Sequence, residues 1–164
     1  MSTSAPTRTA PDLSYLLTHA GYVLSTQMTA GLAEIGLTPR GYCVLFHALE
    51  AERTQIELAE ISDLDKTTMV VTIDELERAG LAERRPSGRD RRARVIAVTE
   101  AGERAVAEGS KIAGRVHRGV LGALTREQGD ALVDALTELS QGYLAQPAES
   151  PPAVRRARQR RLSR

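Results

Sequence analysis

The sequence is poor in cysteine and in aromatic residues. Its 164 residues include a single cysteine, Cys43, no tryptophan, one phenylalanine and four tyrosines. A single cysteine excludes an intramolecular disulfide and is compatible with a reducing compartment. A surface that stacks the bases of single-stranded nucleic acid needs several aromatic side chains, so the composition disfavours this class of function.

Long apolar runs are missing as well. No stretch approaches the ~18 continuous apolar residues that a membrane span requires. The segment MSTSAPTRTAPDL is polar and lacks the apolar centre of a signal peptide. We therefore expect a cytoplasmic protein without a membrane partner.

The motifs that usually mark enzymes and metalloproteins are also absent from the sequence. It contains no nucleophile elbow, no glycine-rich phosphate loop and no cluster with metal-ligand spacing. His19, His47 and His117 show no close ligand spacing. We expect no catalytic residues, no cofactor and no metal site.

Positive charge is concentrated in two short segments. The chain carries 22 basic and 21 acidic residues, a formal net charge of +1. Residues 84–94 hold six arginines and one aspartate, and residues 151–164 hold six more arginines and no acid. The rest of the chain is strongly acidic. An acidic body with two basic extensions indicates a polyanionic partner, although solvated charge runs would give the same pattern.

Apolar periodicity and capping signals divide the chain into helices around a compact centre. Apolar residues recur every three or four positions over 12–35, which is typical of an amphipathic helix. Signals for later helix starts are Thr38, Thr54, Asp65, Thr99 and Thr125. The predicted division is a disordered N-terminus (1–11), N-terminal helices (12–53), a central unit (54–98), C-terminal helices (99–145) and a disordered basic tail (146–164).

The central unit has the pattern of a helix-turn-helix followed by a β-hairpin. Two short helices, about 55–61 and 66–79, precede strands predicted over 81–85 and 93–98. Apolar residues expected to form the buried seam are Leu58, Ala59, Ile61, Leu64, Met69, Ile73, Leu76 and Leu81. The predicted class is mainly α (α+β), a winged helix-turn-helix with a two-stranded β wing.

The second helix of this motif has an outer side suited to the major groove of duplex DNA. Its first turn offers the cation of Lys66, the hydroxyls of Thr67 and Thr68, and free backbone N–H groups for phosphates and base edges. Val71 and Thr72 continue this side. The valine and threonine methyl groups there can meet a thymine methyl.

The arginine-rich segment 84–94 falls on the turn of the hairpin. A guanidinium group stays charged and sheds water more readily than an ammonium group, so an arginine tip can enter a narrow minor groove. Asp90 is the one acid of this segment. We expect its carboxylate to orient one guanidinium through a charge-assisted hydrogen bond.

Two runs, LTPRGYCVL and ELAEISDLDKTTMVVTIDELERAGLAERRPSGRDRRARVIAVTEAGERA, resemble the MarR family of transcription regulators. The resemblance covers about residues 12–145, and its most specific part is the ordered set LAE, DLDKTTM, LERAGL, RDRRAR and VTEAG. It implies a repressor that binds a pseudo-palindromic operator in double-stranded DNA. It also implies a homodimer in which the N- and C-terminal helices interlock as dimerisation helices, which accounts for their apolar stripes.

By position, the resemblance assigns DNA contacts to two groups of residues. Those facing the major groove are Lys66, Thr67, Thr68, Val71 and Thr72. Asp90 and Arg92 match the acid and the arginine of the wing tip, and Arg92 is the predicted minor-groove probe. The other wing arginines, predicted to contact the DNA backbone or to brace the wing, are Arg84, Arg89, Arg91 and Arg94.

The resemblance further implies a small effector ligand, aromatic or phenolic, that releases the DNA. Such a ligand acts only through a difference in its affinity for the two states of the protein. The pocket would lie between the first, second and fifth helices. Its candidate residues are Tyr15, His19, Tyr22, Tyr42 and Phe46. Ordinary core or interface packing is the alternative interpretation of these side chains.

Two other functions remain open at this point. A winged helix can serve as a protein- or RNA-interaction module, and Cys43 can make the protein a thiol-based redox-responsive regulator. In the peroxide-sensing branch of the family the reactive cysteine lies near the start of the first helix, where this chain has Ser14. Cys43 lies among apolar residues, which favours an inert thiol. We expect the arginine tail to add modest, non-specific phosphate contacts.

Overall fold

In the part of the chain that the computed structural model describes, six helices and one β-hairpin follow one another. The structure describes residues 12–88, 90 and 92–146. In chain order the elements are α1 (Leu13–Ala33), α2 (Pro39–Glu50), α3 (Gln55–Ile61), α4 (Lys66–Arg78), β1 (Ala82–Pro86), β2 (Arg94–Val98), α5 (Glu100–Leu121) and α6 (Arg126–Gln141). The predicted class, mainly helical with a two-stranded wing, is confirmed.

The chain divides into two compact units. The first ends at Val120 and contains the helix-turn-helix and the wing, and the second begins at Leu121 and contains α6. None of the described helices has the length and the apolar character needed to cross a membrane. The disorder predicted for residues 1–11 and for the tail from Pro147 onward concerns segments outside the described residues.

Polar side chains fix the first turns of the helices. The predicted caps are confirmed at Thr38, Thr54, Asp65, Thr99 and Thr125. At Thr54 the cap is reciprocal, because the Thr54 N–H donates to the Glu57 carboxylate at 2.7 Å while the Thr54 hydroxyl accepts from the Glu57 N–H at 3.3 Å. At the other end of α4, Gly80 has φ +70°, a left-handed conformation that glycine adopts without strain.

The wing consists of β1, β2 and the turn 87–93 between them. The strands are antiparallel, with Ala82 opposite Val98 and Pro86 opposite Arg94. The Ser87 N–H donates to the Ala93 carbonyl at 3.0 Å and closes the ladder. The strands lie within one residue of their predicted bounds.

The chain that enters α3 pairs with the wing. The Ile96 N–H donates to the Arg53 carbonyl at 3.1 Å, and Thr54 forms an isolated antiparallel bridge with Val95. Val95 and Ile96 are themselves buried. The base of the wing is therefore attached to the helix-turn-helix through backbone hydrogen bonds and through apolar packing.

The core of the first unit holds the helix-turn-helix in place. Its large side chains that are fully buried are Leu32, Val44, Leu45, Leu58, Met69, Ile73 and Ile112. Burying one such side chain contributes ~1.5–3 kcal/mol relative to leaving it in water. Met69, Ile73 and Leu76 share one face of α4, as their spacing predicts, and attach that helix to the core.

Ile61 is an exception to the predicted seam. Its side chain is 44 % exposed, so the prediction that it is buried is wrong. Ile61 is the last residue of α3, and Leu64 in the following turn packs against the core instead. The Leu64 N–H donates to the Ala59 carbonyl at 2.9 Å, which brings that turn back over α3.

The second unit consists of α6 and the turn before it. The Leu124 N–H donates to the Leu121 carbonyl at 3.1 Å in the turn that follows α5, and Thr125 then caps α6. Along α6, Leu132, Val133 and Leu136 are between 40 and 47 % exposed. An apolar stripe of this kind is typical of a surface that associates with another protein surface.

Candidate nucleic-acid interface

The helix α4 presents one face to the core and the opposite face to solvent. Lys66 and Thr67 are exposed, Thr68 is half-buried, and Val71 has 50 % of its surface exposed. Four of the five predicted major-groove residues therefore lie at least partly at the surface. Together they offer a cation, hydroxyls and methyl groups.

Thr72 lies on the buried side of α4. Its side chain is 3 % exposed, and its hydroxyl donates to the Thr68 carbonyl at 2.8 Å. The prediction that Thr72 continues the outer side of α4 is therefore wrong. Residue 72 follows Met69 by three positions, so the two side chains share the face that packs on the core.

Asp65 accepts hydrogen bonds from several polar groups of the first turn of α4. Its Oδ1 accepts from the N–H groups of Thr67 at 2.9 Å and Thr68 at 3.0 Å, and its Oδ2 accepts from the Thr68 hydroxyl. The hydrogen bond from the Thr68 hydroxyl is the main reason that the pKa of Asp65 is lowered. These N–H groups are therefore paired rather than free, and the side chains of Lys66 and Thr67 are the exposed polar groups of this turn.

Arg84 joins the wing to α4. Its guanidinium group contacts the Glu77 carboxylate and donates to Asp74 Oδ1 at 2.7 Å. Its backbone N–H donates to Glu77 Oε1 at 2.8 Å. Two carboxylates already neutralise this arginine, so the geometry supports the bracing role of Arg84 and argues against its role as a DNA contact.

A chain of hydrogen bonds holds the turn of the wing against the loop between α2 and α3. The Glu52 carboxylate accepts from the buried Ser87 hydroxyl and, at 3.4 Å, from the Gly88 N–H. The Ser87 hydroxyl accepts from the Asp90 N–H at 3.2 Å. The Asp90 carboxylate accepts from the Arg92 N–H at 2.9 Å. The backbone that carries Arg92 is thus tied, step by step, to Glu52.

The charged residues of the wing turn differ from the prediction in one respect. Among the described residues, the Asp90 carboxylate binds the backbone of Arg92 and not a guanidinium group. Arg92 and Arg94 are exposed, as contact with a groove requires. Arg89 and Arg91 lie outside the described residues, so their assigned roles stay predictions.

Two residues of this surface were missed by sequence reasoning. Val70 is 36 % exposed beside Val71, and its position three residues after Thr67 could have placed it on the same face. Glu52 has no comparable signal. Its partner Ser87 is 35 residues away in sequence, and only the folded chain brings the two together.

Of the predicted effector-site residues, Tyr42 lies where α1, α2 and α5 meet, and Phe46 lies beside Tyr42 on α2. The Tyr42 hydroxyl is 3.0 Å from the Ser110 hydroxyl on α5, and the Tyr42 and Phe46 rings are 6.1 Å apart. The Tyr42 ring lies so close to Gly109 that a Cβ there would be 2.6 Å from the ring. Tyr42 is therefore packed tightly on α5, while Phe46 is 38 % exposed.

The other three candidates lie further towards the start of α1. Tyr15 stacks on His19 with ring centroids 5.5 Å apart, and Tyr22 is 69 % exposed. With a rise of ~1.5 Å per residue, Tyr22 lies about 15 Å along the helix axis from Leu32, where α1 packs near α5. One chain alone does not bring these three side chains to Tyr42.

The geometry of the described residues adds no support for a reactive thiol or for a metal site. Cys43 is half-buried on α2. Within the described ranges, no group of three or more His, Cys, Asp and Glu side chains is arranged to hold a metal ion. The thiol-based alternative stays a prediction.

Known proteins resemble both the sequence and the fold of this chain. Residues 35–93 match the model of the MarR family. CouR from Rhodococcus jostii RHA1, in a crystal structure with p-coumaroyl-CoA, is 28% identical, with a TM-score of 0.72 over 79% of this chain and 92% of that chain. The transcriptional repressor CouR bound to a 23-mer DNA duplex is 26% identical, with a TM-score of 0.75 over 85% of this chain and 99% of that chain.

A third structure comes from a different organism. A MarR family protein of Mycobacterium tuberculosis in complex with p-aminosalicylic acid is 25% identical to this chain. Its TM-score is 0.66, over 79% of this chain and 98% of that chain. The likeness to these structures therefore extends well beyond the segment 35–93.

Proposed function

Because this chain belongs to the MarR family of winged-helix transcription regulators, we propose that it is a repressor that binds double-stranded DNA as a homodimer. A small aromatic or phenolic ligand releases the DNA. The observation that carries the proposal is the placement of α4, whose apolar face is buried while Lys66, Thr67 and Val71 point outward. A helix with such an outer face fits a major groove, and the adjacent wing can reach a minor groove with Arg92.

The homodimer is supported by apolar side chains that one chain leaves exposed. On α1 these are Leu13, Leu16, Leu17 and Val23, and on α6 they are Leu132, Val133 and Leu136. A second copy would cover them and regain the free energy of apolar burial. In this proposal 12–53 and 99–145 are the dimerisation regions, and 54–98 is the DNA-binding domain.

A two-fold dimer determines the form of the operator. Two copies of α4 would lie about one DNA turn apart, ~34 Å, so the two half-sites form an inverted repeat. The exposed Arg92 of each wing would enter the minor groove beside each half-site, where the negative potential is strongest when that groove is narrow.

The effector site is proposed at Tyr42 and Phe46, in the region where α2 meets α5. CouR and the Mycobacterium tuberculosis protein have structures with a p-coumaroyl thioester and with p-aminosalicylic acid. These ligands, both aromatic, support the proposed ligand class. Tyr15, His19 and Tyr22 belong to the face of α1 that we assign to the partner chain, and they would contribute to the pocket only within the dimer.

Selection of bound duplexes from a random pool tests the proposal. The full chain is expected to enrich an inverted repeat. For each tenfold rise in salt, the logarithm of its binding constant should fall by about 0.9 per neutralised phosphate. Small phenolic and aromatic acids are then screened for release of the enriched duplex. Failure to enrich any inverted repeat over scrambled sequence would count against DNA recognition, and failure of every ligand to release it would count against the effector alone.

A further inference from the structure

The outer face of the first half of α4 is richer in methyl groups than in hydrogen-bonding groups. Val70 and Val71 have 36 % and 50 % of their surface exposed. Thr67 is also exposed and adds a methyl group beside them. These positions are related as i, i+3 and i+4, so the three side chains form one patch.

The polar groups around this patch are engaged within the protein. The Thr68 hydroxyl donates to Asp65, and the Thr72 hydroxyl is buried and donates to a backbone carbonyl. The Asp74 carboxylate accepts from Arg84 at 2.7 Å. Few side-chain donors and acceptors of this region are left for the edges of DNA bases.

The composition of α4 supports the same conclusion. Bases are read most specifically by hydrogen bonds from arginine or lysine to guanine and from asparagine or glutamine to adenine, and the one lysine of α4 is its first residue, Lys66. The helix KTTMVVTIDELER contains no asparagine or glutamine, and its one arginine, Arg78, is its last residue. Thymine, in contrast, carries a C5-methyl group in the major groove that apolar side chains recognise.

We infer that α4 reads its operator chiefly through thymine methyl groups, which pack against Val70, Val71 and the methyl group of Thr67. Lys66 at the start of the helix supplies a phosphate contact and no sequence preference. The inference rests on the proposed function and specifies the base that the recognition helix selects. Removal of one such thymine methyl group is expected to weaken binding about fourfold, since the apolar area that it covered returns to water.

Deoxyuridine substitution in the selected duplex tests the inference with the unmodified protein. Deoxyuridine keeps the base pairing and the O4 acceptor of thymidine and lacks only the methyl group. At each contacted thymine of a half-site we expect about a fourfold loss of affinity. 5-Bromodeoxyuridine, whose bromine fills the space of the methyl group, should restore the affinity. Deoxyuridine placed outside the half-sites is the control and should leave the affinity unchanged.

Exchange of the valines identifies the residues that touch the thymine methyl groups. In Val71→Ala the deoxyuridine penalty at the thymine opposite that residue should disappear, and Val70→Ala should do the same at its own thymine. Leu49→Ala removes an exposed apolar side chain of α2 and should leave every penalty in place.

The outcomes separate this inference from the proposed function. A pool that yields no preferred duplex would contradict DNA recognition itself. A preferred duplex whose half-sites contain no thymine, or whose thymines all tolerate deoxyuridine, would overturn methyl reading and leave DNA recognition standing.

Discussion

The recognition helix α4 and the wing carry the two parts of the proposed DNA surface, and they are held in different ways. In α4 the position of the outer face is set by apolar burial, because Met69 and Ile73 on the opposite face are fully buried. In the wing, the strands are anchored by Val95 and Ile96, but the turn depends on hydrogen bonds that begin at Glu52.

Because of this difference, substitutions in the two regions should act on different properties, the stability of the fold in one case and DNA binding in the other. A change on the buried face of α4 removes core packing and therefore acts on the whole first unit. A change in the wing turn acts on a few polar groups at the surface, where a missing hydrogen bond costs only ~0.5–1.5 kcal/mol. We expect substitutions on the buried face of α4 to change the free energy of unfolding, and substitutions in the wing turn to change the affinity for DNA.

The largest effect is expected for Ile73→Ala. The side chain is completely buried, so truncation leaves a cavity and should lower the free energy of unfolding by ~2–5 kcal/mol. Urea unfolding measures the change, and DNA binding should fall only as far as the folded fraction falls. Val71→Ala on the outer face is the matched control and should stay within about 0.5 kcal/mol of the parent. Equal losses for the two variants would contradict the division between the faces.

Arg92→Ala should act on binding alone. The side chain is exposed at the wing turn, and its loss should weaken specific binding by roughly 1–3 kcal/mol and reduce the salt dependence. Unfolding should be unchanged. Arg104→Ala, which removes an exposed arginine paired with Glu100 on α5, is the control. A loss of affinity within experimental error would remove Arg92 from the interface.

Glu52→Ala should weaken DNA binding although it removes a negative charge beside the surface that we propose to face phosphates. Without the carboxylate, the hydrogen bonds from the Ser87 hydroxyl and the Gly88 N–H to residue 52 are lost, and the turn that carries Arg92 is held less firmly. We expect a loss of about 1 kcal/mol, and a smaller loss for Glu52→Gln, which keeps an acceptor. Filter binding or fluorescence anisotropy on the selected duplex measures both.

The double variant shows whether Glu52 acts through the wing turn. If it does, Glu52→Ala should have little further effect in the Arg92→Ala background. Glu103→Ala, an exposed acid of α5, is the charge control. Stronger binding by Glu52→Ala would mean that electrostatic repulsion outweighs the positioning of the turn.

The smallest effect concerns the acid stability of α4. Hydrogen bonds, above all from the Thr68 hydroxyl, lower the pKa of Asp65 in the folded protein. The carboxylate therefore stabilises the fold in full above the pKa of an unfolded aspartate, and this contribution is lost as pH falls through the lowered folded value. Asp65→Asn keeps a capping acceptor and cannot titrate, so its unfolding free energy should fall less in acid. If urea unfolding showed the same loss of unfolding free energy in acid for the parent and for Asp65→Asn, the role of this cap would be contradicted.

Much of the recognition helix could be predicted from the sequence because the relevant signals are local. Asp65 caps the helix, the spacing of Met69, Ile73 and Leu76 defines its buried face, and Gly80 ends it. The error at Thr72 has a local cause too. A small polar residue at the edge of an apolar stripe fits either face by spacing, and here its hydroxyl is satisfied by the helix backbone.

The wing was predictable as a hairpin but not in its attachments. Alternating residues and a Pro-Ser-Gly turn indicate the strands. The pairing of Thr54 with Val95 and the bond from Ser87 to Glu52 join residues 35 or more positions apart, and no periodicity reports them. The effector-site candidates have the same difficulty, since only the folded chain separates Tyr42 and Phe46 from the three ring-bearing residues of α1.

The proposed mode of DNA binding depends most on two copies of α4 binding one operator at a fixed separation. The direct measurement is the affinity of the full chain for the selected duplex after ~5 base pairs, about half a helical turn, are inserted between its half-sites. We predict a fall to the level of scrambled DNA, because the second half-site then faces away from the second recognition helix. Unchanged affinity for the spaced duplex would show that each chain binds its half-site alone, and the paired arrangement would be wrong.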